Sequence, residues 1–153
     1  MSELAKDRVV IHASPASIRA VIHDPDALAR VLPGAESLVP DGPGRWRGVL
    51  ATKVGFMTIR ADAVATLTES DDPDHLRIEI EGRPRGLAGS FRAAVPFSLE
   101  PVDAERTAVE YTVDLTVTGR LAAFGAPLMR ETFRRQVAEL VTNIERVASD
   151  GRS

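Results

Sequence analysis

VEYTVDLTVTGRLAAFGAPLMRETFRRQVAELVTNIERV, residues 109–147, changes its period halfway along. Up to Val117 the apolar residues Val109, Tyr111, Val113, Leu115 and Val117 recur at every second position, the mark of a strand with one covered face. Beyond Gly119, the residues Leu121, Phe124, Leu128, Phe133, Val137, Leu140, Ile144 and Val147 recur mostly at three and four. Arg130, Glu131, Arg134, Arg135, Glu139 and Arg146 mostly fill the other side, with Glu131 and Arg135 a favourable i,i+4 pair. This predicts one amphipathic helix from about 121 to 148, roughly 40 Å long. Such a helix needs a wide apolar surface to lie across.

The preceding residues supply that surface. From Arg45 to Gly119 the period is two throughout. Trp46, Leu50 and Val54 share one face; so do Met57, Ile59, Ala61, Ala63, Ala65 and Leu67 after a turn at Gly55. Leu76, Ile78 and Ile80 follow, then Phe91, Ala93, Val95, Phe97 and Leu99. Charged residues occupy the opposite parity, and the connections are short and rich in Gly, Pro and Asp, as in an antiparallel meander covered on one side. Before the meander, Arg8–Ile11 reads as a strand. Ser14-Pro15 and Asp24-Pro25 then each pair a capping residue with a proline at the first helical position, opening two short helices. The second ends at Pro33-Gly34. The expected fold is α+β: a curved antiparallel sheet wrapped around a long C-terminal helix, with two short helices after the first strand. One domain over residues 1–153 is expected, with 149–153 as a frayed tail.

Composition narrows the function classes. The chain has 153 residues, no cysteine and a formal charge of −3. That excludes a thiol nucleophile, a thiolate-ligated metal and a disulfide framework. It also argues against nucleic acid as a partner. No apolar run approaches the ~18 residues of a membrane span, and the polar N-terminus is not a signal peptide, so a cytoplasmic protein is expected. His12, His23 and His75 are scattered, and no zinc-binding, phosphate-loop or serine-hydrolase motif occurs. The carboxylates Asp62, Glu79, Glu81, Glu100, Glu110 and Asp114 fall mainly on the outward parity, while Asp71, Asp72 and Asp74 read as turn residues. The basic, glycine-rich run 82–89 reads as a hairpin connection, or more sharply as a rim for an acidic partner or an anionic head group. No catalytic residue and no metal ligand are expected.

Alanine occurs 21 times against seven aromatic residues. Ala61, Ala63, Ala65, Ala93 and Gly48 fall on the inward face, where a long helix on a bent sheet needs bulk beneath it. Either the helix approaches closely there or a hollow remains, and the sheet's curvature favours the hollow. An apolar hollow with a few polar groups is the usual small-molecule site. The expected lining is Trp46, Leu50, Met57, Ala61, Ala93, Val95, Tyr111, Val113, Phe124, Leu128 and Phe133, with Tyr111 and Trp46 orienting a ligand oxygen through O–H and N–H. Gly125, Ala126 and Pro127 would form a hinge or mouth.

Several local words carry a resemblance. Asp24-Pro25, Leu28-Ala29 and Leu32-Pro33-Gly34-Ala35-Glu36, then Lys53-Val54-Gly55, then Thr118-Gly119-Arg120-Leu121-Ala122-Ala123-Phe124-Gly125, occur in this order across nearly the whole chain. Together they resemble the carbon monoxide dehydrogenase G-subunit family, of the START-like helix-grip superfamily. The resemblance implies an apolar cavity between sheet and C-terminal helix and an accessory role to a molybdenum hydroxylase. It also implies recruitment to the membrane and a bound quinone as ligand, with no covalently held cofactor. The expected location is thus cytoplasmic, peripheral at the inner face of the membrane. Members often carry a C-terminal extension, sometimes with a membrane segment; this sequence stops at Ser153, which argues against direct anchoring but not against lipid or quinone binding. Two alternatives stay open: a cyclase-like enzyme on the same fold, which would need an inward acid or base, and an interaction module whose alanine face is closed by packing.

Overall fold

Two prolines and two caps organise the first third of the chain. In the computed structural model, which describes residues 2–72 and 74–150, the Ser14 side chain accepts from the Ser17 N–H and opens α1 (Pro15–His23). Asp24 accepts from the Asp26 and Ala27 N–H groups and opens α2 (Pro25–Val31). The helices abut through the single residue Asp24. Their apolar faces, Ile18, Val21, Ile22, Ala27, Leu28 and Val31, are buried.

The strand before them is longer than its apolar core suggests. β1 runs Ser2–Ile11 and pairs antiparallel with β7 (Arg106–Val117). The intervening strands are β2 (Val39–Pro40), β3 (Arg45–Val54), β4 (Met57–Glu69), β5 (His75–Pro84) and β6 (Phe91–Asp103). All pair antiparallel in one seven-stranded sheet of order β1-β7-β6-β5-β4-β3-β2. The two-residue turn Gly55-Phe56 joins β3 to β4, and Gly55 has φ +63°, the left-handed first position that a type II′ turn demands.

The expected single helix over 121–148 is divided. A short 3-10 helix spans Gly119–Phe124, and α3 runs Ala126–Asp150. Gly125 separates them at φ +83°. Pro127 follows inside the first turn of α3, where its missing N–H costs nothing. α3 is held to its surroundings at both ends. Near its start, Arg135 Nη2 donates to Lys53 O at 2.8 Å and Gln136 Nε2 to Thr52 Oγ1 at 2.7 Å, fixing it to β3. Further on, Asn143 Nδ2 donates to Val31 O at 3.0 Å, and Glu145 accepts from the His12 N–H at 2.9 Å.

The apolar interior falls into two parts. One lies under α1, α2 and the end of α3 and contains Trp46, Ala65, Leu76, Leu99 and Ile144. The other lies under the start of α3 and contains Val54, Ile59, Ala93, Val113, Leu115, Leu121 and Met129. The segment after α2 crosses between them along β3. Gly34, at φ +77°, lies so close that a Cβ would sit 2.0 Å from Ala51 O. Its carbonyl accepts from the Ala51 N–H at 2.8 Å, and the Glu36 N–H donates to Val49 O at 2.9 Å. The Leu-Pro-Gly-Ala-Glu word is thus the chain's means of lying flat on the sheet.

Candidate functional site

In the half of the molecule beneath the start of α3, helix and sheet do not close on each other. A cavity of about 110 Å³ remains. Leu50, Ala61, Ile80, Ala93 and Leu115 form its floor across β3 to β7, while Met129, Phe133 and Gln136 of α3 roof it. Leu32 and Pro33 wall one side and Leu121 another. The hollow exists because β4 and β6 bring only methyl groups to its centre. β5 contributes Gly82 beside it, where a Cβ would stand 2.5 Å from the Phe91 ring. Phe91 therefore occupies Gly82's side-chain space and itself becomes a wall.

The polar groups in the lining are three. Thr52 on β3 accepts from Gln136 on α3, and Thr132, one helical turn before Gln136, donates to Leu128 O at 2.9 Å. Thr132 is 2% exposed, so its hydroxyl is satisfied within the helix rather than by solvent. No Asp, Glu, Lys, Arg or His belongs to the lining. Acid–base chemistry has no titratable group to use there.

Of the expected lining, Leu50, Ala61, Ala93 and Phe133 meet at the cavity. Val95, Val113, Phe124 and Leu128 belong to the same apolar cluster but pack behind its walls. Trp46 lies elsewhere: it is buried in the other half, and its Nε1–H donates to Pro25 O at 2.9 Å, tying β3 to the first turn of α2. Its polar edge is spent on structure, so it does not orient a ligand. Tyr111 is half-buried between Asp7 of β1 and Arg134 of α3, outside the cavity. Burial first, and the Asp7 charge second, push its phenol above the ordinary value. Met57 is not inward in effect; it is half-exposed at the hairpin tip beside Phe56, which is fully exposed. The sheet continues there past the edge of α3, so correct parity no longer means cover.

The small residues also divide. Ala65 packs with Trp46 in the other core, and Gly48 is covered by the crossing segment, where a Cβ would lie 1.7 Å from Ser37 O. Only Ala61 and Ala93 of the five border the hollow. Thr52 and Gln136 join the lining without having been expected there. Thr52 shares the parity of Leu50 and Val54, which is a usable signal; Gln136 interrupts an apolar stripe and carries none.

Other surfaces are ordinary. Two broader depressions, about 920 and 650 Å³, lie on the outer face of the sheet. Arg8 with Glu110, and Glu79 with Arg77 and Arg92, form ion pairs on this face, as expected of a solvated exterior. His23 pairs with Glu69 and His75 with Asp72, both at the surface. Among the described residues no cluster of three or more His, Cys, Asp or Glu could hold a metal, and no helix is long and apolar enough to cross a membrane.

Comparison with known proteins agrees with this geometry. A conserved protein from Geobacillus kaustophilus superposes with a TM-score of 0.82 at 20% identity, covering 94% of this chain and 93% of that one. A START superfamily protein from Mycobacterium smegmatis gives 0.69 at 12% identity, over 97% and 99% of the two chains. The Zhui aromatase/cyclase from a Streptomyces species gives 0.64 at 16%, over 95% and 92%. At these identities the likeness is one of fold. Among the curated proteins none matches. The family model of the carbon monoxide dehydrogenase G-subunit, CoxG, matches residues 8–149, from within the first strand almost to the end of α3. With a START-like, hydrophobic-ligand-binding fold and a signature whose glycines fix the segments around the hollow, the chain belongs to the CoxG family of carbon monoxide dehydrogenase proteins.

Proposed function

We propose that this chain is a non-enzymatic carrier of an apolar small molecule, held between the sheet and α3, with a quinone head group as its ligand. The observation that carries the reading is the hollow over Ala61 and Ala93, walled by apolar side chains with three uncharged polar groups and no titratable one. An apolar cavity of ~150 Å³ accepts benzene, so about 110 Å³ is on the scale of one small ring. A larger head group or its tail requires the walls to part. Gly125, between two helical segments, is the natural pivot for the start of α3.

Family membership supports two further parts of the proposal: service to a molybdenum hydroxylase of the carbon monoxide dehydrogenase type, and peripheral association with the inner face of the membrane. Charge supports the second. Residues 53–60, 83–92 and 118–135, which the meander brings to one end of the sheet, hold nine Lys or Arg and one Glu, net +8, leaving the rest at −11. Phe56 projects from that end. An exposed aromatic side chain on a basic surface suits an anionic bilayer.

Native mass spectrometry of the protein purified from its own host tests the carrier reading. A copurifying apolar mass is the expected result. Ligand-free protein that also fails to take up a short-chain ubiquinone analogue overturns it.

A further inference from the structure

The cavity's polar groups are few and specifically placed, and they say more about the ligand than its apolarity. Gln136 spends one amide N–H on Thr52 Oγ1 at 2.7 Å. That bond fixes the amide at the cavity's roof. No other described side chain bonds its second N–H or its carbonyl oxygen, and no buried side-chain N or O among the described residues is unpartnered. The amide's remaining donor and acceptor are therefore open to a molecule in or beside the hollow. One turn earlier, Thr132 has given its hydrogen to Leu128 O and retains acceptor capacity. Everything else around the space is carbon, and no charged side chain stands by to pair a buried carboxylate or ammonium.

Resting on the carrier reading, we infer that Gln136, held in place by Thr52, is the cavity's specificity-determining residue. It bonds a single hydroxyl or carbonyl oxygen on an otherwise apolar, uncharged ring, and the uncharged lining rejects anionic ligands such as fatty acids. The site is thus selective for neutral cyclic molecules with one polar edge.

Three one-ring probes test this by NMR titration: toluene, phenol and benzoate. Wild-type protein is expected to bind toluene and phenol but not benzoate. A neutral hydrogen bond corresponds to roughly a 2- to 10-fold change in affinity. In Gln136→Leu the affinity for phenol relative to toluene is expected to fall by about that factor, while toluene binds at least as well as before. Thr52→Val, which releases the amide without removing it, is expected to shift the ratio in the same direction by less, and carries the test if Gln136→Leu does not fold. An unchanged ratio in the folded variants, or benzoate binding comparable to phenol, overturns the inference while leaving the carrier reading intact. Binding of neither toluene nor phenol overturns both.

Discussion

Ala93→Val separates a real hollow from a closely packed face by the sign of a stability change. Ala93 is 2% exposed, lies on β6 between Ile80 and Leu115, and borders the cavity with both of them. Valine adds two carbons. At ~0.8 kcal/mol per buried carbon their transfer into an empty apolar space is worth at most about 1.6 kcal/mol. Incomplete contact with the far wall lowers this to about 1 kcal/mol. For a domain of this length that raises Tm by about 2–4 °C. The matched control is Ala65→Val: also 2% exposed and on the same face of the sheet, but packed with Trp46 in the other core. Overpacking there costs about 1–3 kcal/mol. Thermal and urea unfolding of both variants read the result. Stabilisation at 93 with destabilisation at 65 is expected, together with weaker uptake of toluene by Ala93→Val. Destabilisation of similar size at both positions would show that α3 closes on the sheet over Ala93, and the reasoning fails.

Other consequences are equally open to measurement. Phe56→Ser should weaken sedimentation with phosphatidylglycerol vesicles several-fold and leave Tm within about 1 °C, since a fully exposed side chain adds little to the fold; unchanged vesicle binding contradicts the membrane part of the proposal. Trp46→Phe removes the bond to Pro25 O and leaves that carbonyl without its partner, at a cost of about 1–3 kcal/mol in urea unfolding, without altering the toluene affinity. Glu79 bonds Arg92 and Arg77, the Arg92 hydrogen bond being the larger cause of a carboxyl held below its usual value. A lowered folded-state value means that Glu79 adds stability above the ordinary carboxylate range and loses it as the pH falls through the depressed value. Comparing unfolding of wild type and Glu79→Gln at pH 7 and pH 3 should show a difference of up to ~1 kcal/mol at pH 7 that shrinks at pH 3; a difference that grows on acidification contradicts the ion-pair account.

The meander, both short helices and the long C-terminal helix are legible in the sequence because each rests on local chemistry: a period, a cap, a proline. The limits of legibility are non-local. Leu50, Ala61, Ala93 and Phe133 can be placed at the hollow from parity and curvature, but nothing local distinguishes Ala93 from Ala65. What fills the space above Ala65 is Trp46, and what fills the space above Gly48 is the segment at Ser37. Met57 has the right parity and the wrong neighbourhood, because the hairpin outruns the helix. The helix itself is misread at its start for one residue's sake. Gly125 breaks it and resets its phase, so that Met129, Thr132 and Gln136 face the sheet instead of a purely apolar stripe. Polar residues in that seam look like solvent-facing ones until the fold supplies Thr52 opposite Gln136.

A crystal structure of the protein isolated from its own host without detergent tests the central claim most directly. The account predicts electron density for a ring between Ala61 and Ala93 below and Phe133 above, with a polar atom within hydrogen-bonding distance of Gln136. Phe133 and Met129 packed directly onto Ala61 and Ala93, with no space between helix and sheet, would contradict it.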